Sequence, residues 1–186
     1  MIKRCAWSEE SPIYRDYHDK EWGKPQFDEQ KLFEKLCLEG QQAGLSWITI
    51  LKKRENYRNA FFKFDPEKVA QMTAEDIDLC MQDPGLIRYR AKLEAIVKNA
   101  QAFLAMKKCG ENFSDFIWSF VNHQPQMNDI PELSVVLAQT PTSIEMSKAL
   151  KKRGFVFVGP TTCYAFMQSM GLVNDHWNQC HCKSPD

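Results

Sequence analysis

Apolar residues recur every three or four positions along most of the chain, and this spacing predicts helices. The clearest helical stripes cover 93–104 and 113–121. The apolar run 155–158 is the best strand candidate, but it has only four residues and alternates poorly. Because Gly154 and Gly159 bracket this run, a tight hairpin between two helices fits better than a strand. The pattern predicts an all-α fold.

Capping signals predict where several helices begin and end. The helix that begins at Asp28 is expected to end near Gly40. The helix that begins at 142–145 is expected to run to Arg153 and to stop before Gly154. The polar segment 122–140 contains two prolines and predicts a loop with at most a short helix. Helix starts are predicted at four capping signals: Asp28, Asp65 before Pro66, the box-like segment 73–76 and the full capping box 142–145.

Length and charge narrow the class of protein. The 186 residues fit one compact domain spanning 1–186, and the 44% hydrophobic content is ordinary for a globular chain. The formal net charge is zero, which argues against a general polyanion binder without excluding one basic face. Basic clusters at 52–54, 88–92 and 151–153 either form a phosphate-contacting surface or are solvated helix ends.

Cysteine usage and hydropathy indicate a cellular compartment. Seven cysteines is an odd number, and a chain of this size can form a core without disulfides. We therefore expect a cytoplasmic protein. The cysteines in apolar or amphipathic surroundings are interpreted as core thiols, namely Cys37, Cys80, Cys109 and Cys163. The chain has no apolar run of about 20 residues, so no contact with a membrane is expected.

The stretch 36–51 is mostly apolar or amide, and Glu39 is its only charge. A carboxylate is costly to bury unless a cation or a hydrogen-bond donor meets it. The pattern predicts a cavity that binds an electron-poor or cationic ligand between Glu39 and Trp47. The alternative is an aromatic core in which Glu39 pairs with a nearby Lys or Arg. The aromatic residues expected around this cavity are Trp7, Tyr14, Tyr17 and Trp22.

The predicted hairpin 154–159 lies directly before a helix that begins around Thr161. Free amide groups at a helix N-terminus bind phosphate, and Lys152 just upstream adds positive charge. The spacing resembles a helix-hairpin-helix motif that grips the DNA backbone through Gly154, Gly159 and their neighbours. An apolar corner between two packed helices is the alternative.

Histidine and cysteine pairs at the two ends of the chain form a candidate metal set. Twelve residues separate Cys5 from His18, and three separate His176 from Cys180. Two Cys and two His suit a tetrahedral structural Zn²⁺. Unrelated terminal residues are the alternative, and His181 and Cys182 compete as ligands for the same site.

Six segments of the sequence, taken in order, resemble the bacterial 3-methyladenine DNA glycosylase I family. The likeness runs over nearly the whole chain and rests on specific motifs. These are RCAW at 4–7, YHDKEWG at 17–23, LEGQQAGLSW at 38–47, LKKRENY at 51–57, WSFVNHQP at 118–125 and GLVNDH at 171–176.

The resemblance implies a helix-hairpin-helix glycosylase fold with a zinc-binding subdomain. In this fold, segments 1–27 and 172–186 would hold a structural Zn²⁺, and 28–171 would form the helical body. The resemblance also implies the zinc ligands, namely Cys5, His18, His176 and Cys180.

The resemblance further implies an activity and its residues. A monomer would bind double-stranded alkylated DNA, flip out a nucleotide and hydrolytically release free 3-methyladenine. Segment 159–171 contains no Asp or Lys, so we expect a monofunctional enzyme without lyase activity. The implied roles are base recognition by Glu39, stacking by Tyr17 and Trp47, pocket shaping by Trp7 and Trp22, and filling of the gap in the duplex by Gln42, Gly44 and Leu45.

Three other functions remain open from sequence. One is a DNA-binding module without catalysis, and another is a glycosylase for a different alkylpurine. The third is a small-molecule metalloenzyme that uses the Cys/His set. The buried carboxylate in an aromatic setting argues against the first, because a module that only grips a backbone needs neither.

Overall fold

The computed structural model describes residues 1–184, so the last two residues of the expected terminal segment 172–186 lie outside it. Within this range the chain is mostly helical. The α-helices are α1 Pro12–Lys20, α2 Glu29–Gln41, α3 Trp47–Ala60, α4 Pro66–Val69, α5 Ala74–Cys80, α6 Arg90–Lys108, α7 Phe113–Ser119, α8 Pro141–Lys152 and α9 Pro160–Ser169. Short 3₁₀ segments cover Ala6–Glu10, Phe62–Phe64 and Leu133–Val135.

Two short strands link the polar segment 122–140 to the C-terminal region. β1 (Gln126–Met127) pairs in parallel with β2 (Val173–Asn174). The prediction of a loop with at most a short helix is otherwise confirmed in this segment. No helix within 1–184 is both long enough and apolar enough to cross a membrane.

Helix α2 begins as predicted, because the Asp28 side chain accepts a hydrogen bond from the Lys31 amide at 2.9 Å. The helix ends at Gln41, close to the predicted end near Gly40. A Cβ atom at position 40 would lie 3.1 Å from the carbonyl oxygen of Phe157. Glycine at this position therefore lets α2 approach the turn before α9 closely; it does not cap the helix.

The capping predictions for the other helices are mostly confirmed. Asp65 caps α4, and Thr73 forms a capping box at the start of α5. The box predicted at 142–145 is wrong, because α8 starts at Pro141. Its capping box is formed by Thr140 and Ser143, each accepting a hydrogen bond from the other's amide.

A tight turn at 154–159 connects α8 to α9, as predicted from the two glycines. Only Gly154 needs glycine's freedom, because its φ is +96°, whereas Gly159 has an ordinary φ of −63°. The second left-handed position is Phe157, at φ +55°. The Asn99 side chain on α6 fixes the turn by bonding the amide of Val156 at 2.8 Å and its carbonyl at 3.2 Å.

A single apolar cluster packs α2, α3, α6, α7 and α9 together. The two ends of the chain also meet, since the His181 amide donates to the carbonyl of Lys3 at 2.9 Å. The indole of Trp118 on α7 donates to the carbonyl of Gln26 at 2.8 Å, which fixes the segment that leads into α2. The helical body and the terminal segments therefore form one packed unit over residues 1–184.

Candidate functional site

A cavity of about 150 Å³ lies between the N-terminal segment, α2, α3 and α9. Its wall is mostly aromatic, and it holds one carboxylate. The structure brings together all five residues predicted for the base pocket, although they lie as far apart as positions 7 and 47. The lining residues are Trp7, Tyr14, Tyr17, Trp22, Glu39, Gln42, Trp47, Ala165 and Gln168.

Glu39 lies in the last turn of α2 and is only 5% exposed. Its carboxylate accepts no hydrogen bond from any residue between 1 and 184. Burial raises the pKa of Glu39 to about 7, and the nearby ammonium of Lys35 opposes that rise. The cavity therefore contains a desolvated acceptor that lacks a protein partner.

Trp47 is the first residue of α3 and is also buried. Its indole Nε1 has no hydrogen-bond partner among the described residues. An unpaired buried donor is costly unless a ligand or water meets it. The Trp47 ring lies 5.6 Å from the Tyr17 ring, tilted by 40°. A flat ligand that stacks on these rings and carries a donor on its edge would satisfy Glu39.

Lys35 is a residue of this region that sequence reasoning missed. Its Nζ donates to the hydroxyl of Tyr17 at 2.5 Å and lies 3.9 Å from the centroid of the Trp47 ring. Burial lowers the pKa of Lys35 to about 7, while the Glu39 carboxylate acts to raise it. The i,i+4 spacing of Lys35 and Glu39 was the available signal, because such pairs share a helix face.

The segment 42–46 connects α2 to α3 beside the cavity. Gln42 lines the cavity, Gly44 has a φ of +77°, and Leu45 is 41% exposed. The three residues predicted to enter DNA therefore lie in one exposed loop at the mouth of the pocket. The buried Lys92 on α6 anchors the loop by donating to the carbonyl of Ala43 at 2.6 Å.

The same anchor extends to the end of α2. Lys92 also donates to the carbonyl of Gln41 at 3.0 Å, and the Gln41 side chain donates back to the Lys92 carbonyl at 2.8 Å. The hydroxyl of Tyr57 on α3 donates to Gln41 Oε1 at 3.1 Å and accepts from the Ile87 amide at 3.2 Å. This network of three helices fixes the start of the loop.

The four predicted metal ligands come together at the junction of the two chain ends. Cys5, His18, His176 and Cys180 are all buried, and their ligand atoms lie within 4.8 Å of one another. Cys180 Sγ is 3.4 Å from His18 Nε2 and 3.7 Å from His176 Nδ1. Cys5 Sγ is also 3.7 Å from His176 Nδ1. This donor set fits a tetrahedral Zn²⁺.

The other ring nitrogens of both histidines have partners of the kind seen around metal ligands. His18 Nδ1 lies 2.8 Å from Asp19 Oδ1, and His176 Nε2 lies 3.0 Å from the carbonyl oxygen of Trp22. Each of these contacts fixes the ring orientation in which the opposite nitrogen points at the thiols. Trp22 also lines the cavity, so the cluster and the pocket share a wall.

Backbone amides point at both buried sulfurs. The Trp177 amide donates to Cys5 Sγ, and the Cys182 amide donates to Cys180 Sγ, each at 3.4 Å. Such donors stabilise thiolates, the form in which cysteine binds metal. Cys182 is only half-buried and His181 is exposed; both group with Asp19 outside the buried set. Of the competing C-terminal residues, Cys180 is the one placed inside.

The residues predicted to grip DNA lie around the turn 154–159. Lys152 and Thr161 are exposed on either side of it. Helix α9 connects this turn to the cavity, because it begins at the turn and contributes Ala165 and Gln168 to the lining. Each of the three basic clusters has an arginine already paired with carboxylates: Arg54 with Glu21, Arg90 with Asp78 and Glu94, and Arg153 with Glu111.

Comparison with known proteins matches almost the entire chain. The methyladenine glycosylase family matches residues 7–183. A DNA-3-methyladenine glycosylase from Haemophilus influenzae is 73% identical over 184 residues, or 99% of this chain and 100% of that protein. A crystal structure of 3-methyladenine DNA glycosylase I has a TM-score of 0.95 at 56% identity, covering 97% of this chain and 99% of that one. Another, in complex with 3-methyladenine, has a TM-score of 0.95 at 44% identity and covers 99% of both chains.

The similarity to DNA-3-methyladenine glycosylases over almost the entire chain shows that the protein is a hydrolase that cleaves N-glycosyl bonds. More particularly, the chain belongs to the methyladenine glycosylase family. The family resemblance drawn from the sequence motifs is thereby confirmed.

Proposed function

We propose that this protein excises 3-methyladenine from alkylated double-stranded DNA by hydrolysing the N-glycosidic bond. The carrying observation is a carboxylate without a protein hydrogen-bond partner, that of Glu39, in a cavity whose wall is mostly aromatic. The edge of an adenine ring offers both a donor and acceptors. The relative crystallised with 3-methyladenine supports the choice of base.

The charge of the damaged base explains its selection over normal adenine. Methylation at N3 gives the nucleotide base a positive charge, and stacking against Tyr17 and Trp47 then adds cation–π attraction. Glu39 favours the same charge and accepts hydrogen bonds from the base edge. The positive charge also makes the base a good leaving group, so the reaction needs no strong general acid. In this proposal Glu39 discriminates by charge, and Trp7 and Trp22 shape the cavity.

The rings proposed to stack on the base line a cavity of about 150 Å³. A base stacked inside duplex DNA presents neither face to such rings, so we expect the nucleotide to flip out. Leu45 is the apolar side chain placed to fill the gap, with Gln42 and Gly44 forming the rest of the inserting loop. The helix-hairpin-helix segment would hold the backbone through the amides at the start of α9. Gly154, Gly159, Thr161 and Lys152 contribute contacts of this kind.

We infer a monofunctional hydrolase. A lyase step needs an amine nucleophile, and no lysine is among the residues that line the cavity within 1–184. Borohydride reduction during turnover should trap no covalent protein–DNA adduct. Recovery of such an adduct would contradict this part of the proposal.

We further propose that Cys5, His18, His176 and Cys180 hold a structural Zn²⁺. Four protein ligands leave no open position, so the ion would stabilise the junction of the terminal segments and take no part in bond cleavage. Purified protein should contain about one zinc per chain, and chelation should lower the melting temperature. Metal-free protein with an unchanged melting temperature would contradict the assignment.

Two further points follow from the family and the residues. The odd number of cysteines and the relation to bacterial DNA repair enzymes both favour the reducing cytoplasm as the location. As the family resemblance implies, we expect a monomer to be active.

The decisive experiment measures which base is released from methylated duplex DNA by the wild type and by Glu39→Gln. The wild type should release 3-methyladenine in preference to other methylated purines. Glu39→Gln should lower the rate by about 10- to 100-fold, because hydrogen bonds to a charged group contribute about 1.5–3 kcal/mol. Glu75→Gln, an exposed carboxylate on α5, is the matched control. Release by Glu39→Gln at the wild-type rate would refute the pocket assignment, and no release by the wild type would leave a DNA-binding module.

A further inference from the structure

The proposed mechanism gives no role to the buried charge of Lys35. Lys35 is 4% exposed and does not line the base cavity; it lines a neighbouring polar cleft of about 290 Å³. Two carboxylates of that cleft are already occupied by arginines. Arg54 binds Glu21 through two hydrogen bonds of 2.7 and 2.8 Å, and Arg58 binds Glu34.

The ammonium of Lys35 is directed instead at the wall of the base cavity. Its Nζ donates to the Tyr17 hydroxyl at 2.5 Å and lies 4.4 Å from the Tyr17 ring centroid and 3.9 Å from that of Trp47. One cation thus contacts both rings proposed to stack on the base. Because Lys35 lines the cleft and the rings line the cavity, it contacts them from outside the cavity.

Lys35 also affects the carboxylate of the pocket. Lys35 and Glu39 are one helical turn apart on α2, and each favours the charged form of the other. Without Lys35, burial alone would determine the pKa of Glu39 and would raise it further. The other charged or titratable groups that face Lys35 are Tyr17 on α1, Glu21 after α1, Glu34 on α2 and Arg54 on α3.

We propose that Lys35 is a positioning residue of the base pocket: it fixes the Tyr17 hydroxyl and the Trp47 ring, and its ammonium, one helical turn from Glu39, favours the ionised form of that carboxylate while the pocket is empty. The inference rests on the proposed function of the pocket. It adds that the negative charge of Glu39, which selects a cationic base, is supported by the positive charge of Lys35 on the far side of the two stacking rings. When the base arrives, its own positive charge takes over part of that role.

The test compares the pH dependence of 3-methyladenine excision in the wild type, Lys35→Met and Lys31→Met. Lys31 is exposed one turn earlier on the same helix and is the matched control. Removing the ammonium raises the pKa of Glu39, so Glu39 becomes protonated at higher pH. The acid limb of the Lys35→Met profile should therefore move up by about 1 pH unit, which is about a tenfold loss on that limb. An unchanged profile in folded Lys35→Met would overturn the inference.

A second variant separates positioning from charge. Lys35→Gln can still donate to the Tyr17 hydroxyl but carries no charge. It should show the same shift of the acid limb as Lys35→Met, with a smaller loss of activity on the plateau above it. Equal plateau losses in both variants would show that the bond to Tyr17 contributes nothing, and would overturn the positioning part.

A measurement on the unmutated side chain covers the case in which neither variant folds. In protein with isotope-labelled lysine, the ε-methylene of Lys35 should give a ring-shifted NMR signal, because it lies against two aromatic rings. Its titration should move to lower pH in Glu39→Gln, since the neighbouring negative charge is gone. The absence of that movement would overturn the link between the two charges. This result stands apart from the proposed function, which fails only if the wild type releases no 3-methyladenine.

Discussion

Replacing Lys92 with methionine should separate loop insertion from base binding. The ammonium of Lys92 holds the carbonyl of Gln41, the last residue of α2, at 3.0 Å and that of Ala43, within the loop proposed to enter DNA, at 2.6 Å. Methionine keeps most of the apolar length of the side chain and removes both bonds. The two carbonyls at the C-terminal end of α2 then lose their cation.

The size of the effect can be worked from these contacts. Two hydrogen bonds to a charged donor contribute about 1.5–3 kcal/mol each, for a gross loss of about 3–6 kcal/mol. Folding removes the water around the lysine ammonium, and this costs free energy. The methionine variant avoids that cost, which offsets part of the loss. We expect a net loss of about 2 kcal/mol of unfolding free energy, and we expect the loop 42–46 to become more mobile.

Two assays distinguish the loop from the pocket. If the loop enters the duplex as proposed, excision from methylated duplex DNA depends on it, and we expect excision to fall by about tenfold or more in Lys92→Met. Binding of free 3-methyladenine requires only the cavity, and its Kd should stay within about twofold. Lys98→Met, an exposed lysine on the same helix, is the control. An equal loss in both assays, or wild-type excision in a destabilised protein, would show that Lys92 does not act through the loop.

Three further outcomes can be checked with stability and metal measurements. Tyr57→Phe removes a buried hydroxyl that bonds on both sides, so urea unfolding should show a loss of about 2 kcal/mol, with exposed Tyr89→Phe unchanged. Gly40→Ala should cost about 1–3 kcal/mol despite the better helix propensity of alanine, because the added Cβ crowds a backbone carbonyl; equal stability would mean that the turn before α9 can retreat freely. Cys180→Ser should lose bound zinc and melt earlier, whereas Cys182→Ser should keep both, as metal analysis and thermal unfolding would report; the reverse pattern would exchange the two ligands.

Periodicity and capping residues sufficed to predict the helices, because these signals lie within each helix or within one turn of its end. Asp28, Asp65 and Thr73 each act within one turn of their own helix. Gly40 was misread because its reason lies in a turn more than a hundred residues away, which packs against the α2 backbone. No pattern within α2 records that approach.

Some residues of the candidate site could be predicted from the sequence, and others could not. The mostly uncharged stretch around Glu39 and the clustered aromatic residues predicted the cavity, the motif resemblance added their roles, and the structure brings them into one cavity. Lys35 and Lys92 were missed because a lysine is ordinarily solvated, and only neighbouring helices make these two buried. Lys35 had a local signal in its spacing from Glu39. Lys92 had none, because the carbonyls that it binds belong to another helix.

The shared wall between the pocket and the Cys/His cluster sets an order of assembly during synthesis. Trp22 contacts His176, with ring centroids 4.6 Å apart, and the Trp22 carbonyl meets the His176 imidazole. The N-terminal half of the pocket is thus among the first segments to leave the ribosome, but its supporting partner emerges near the end of translation. A chain released early would carry Glu39 and both stacking rings without this support. We therefore expect prematurely terminated chains to bind 3-methyladenine more weakly than the full chain.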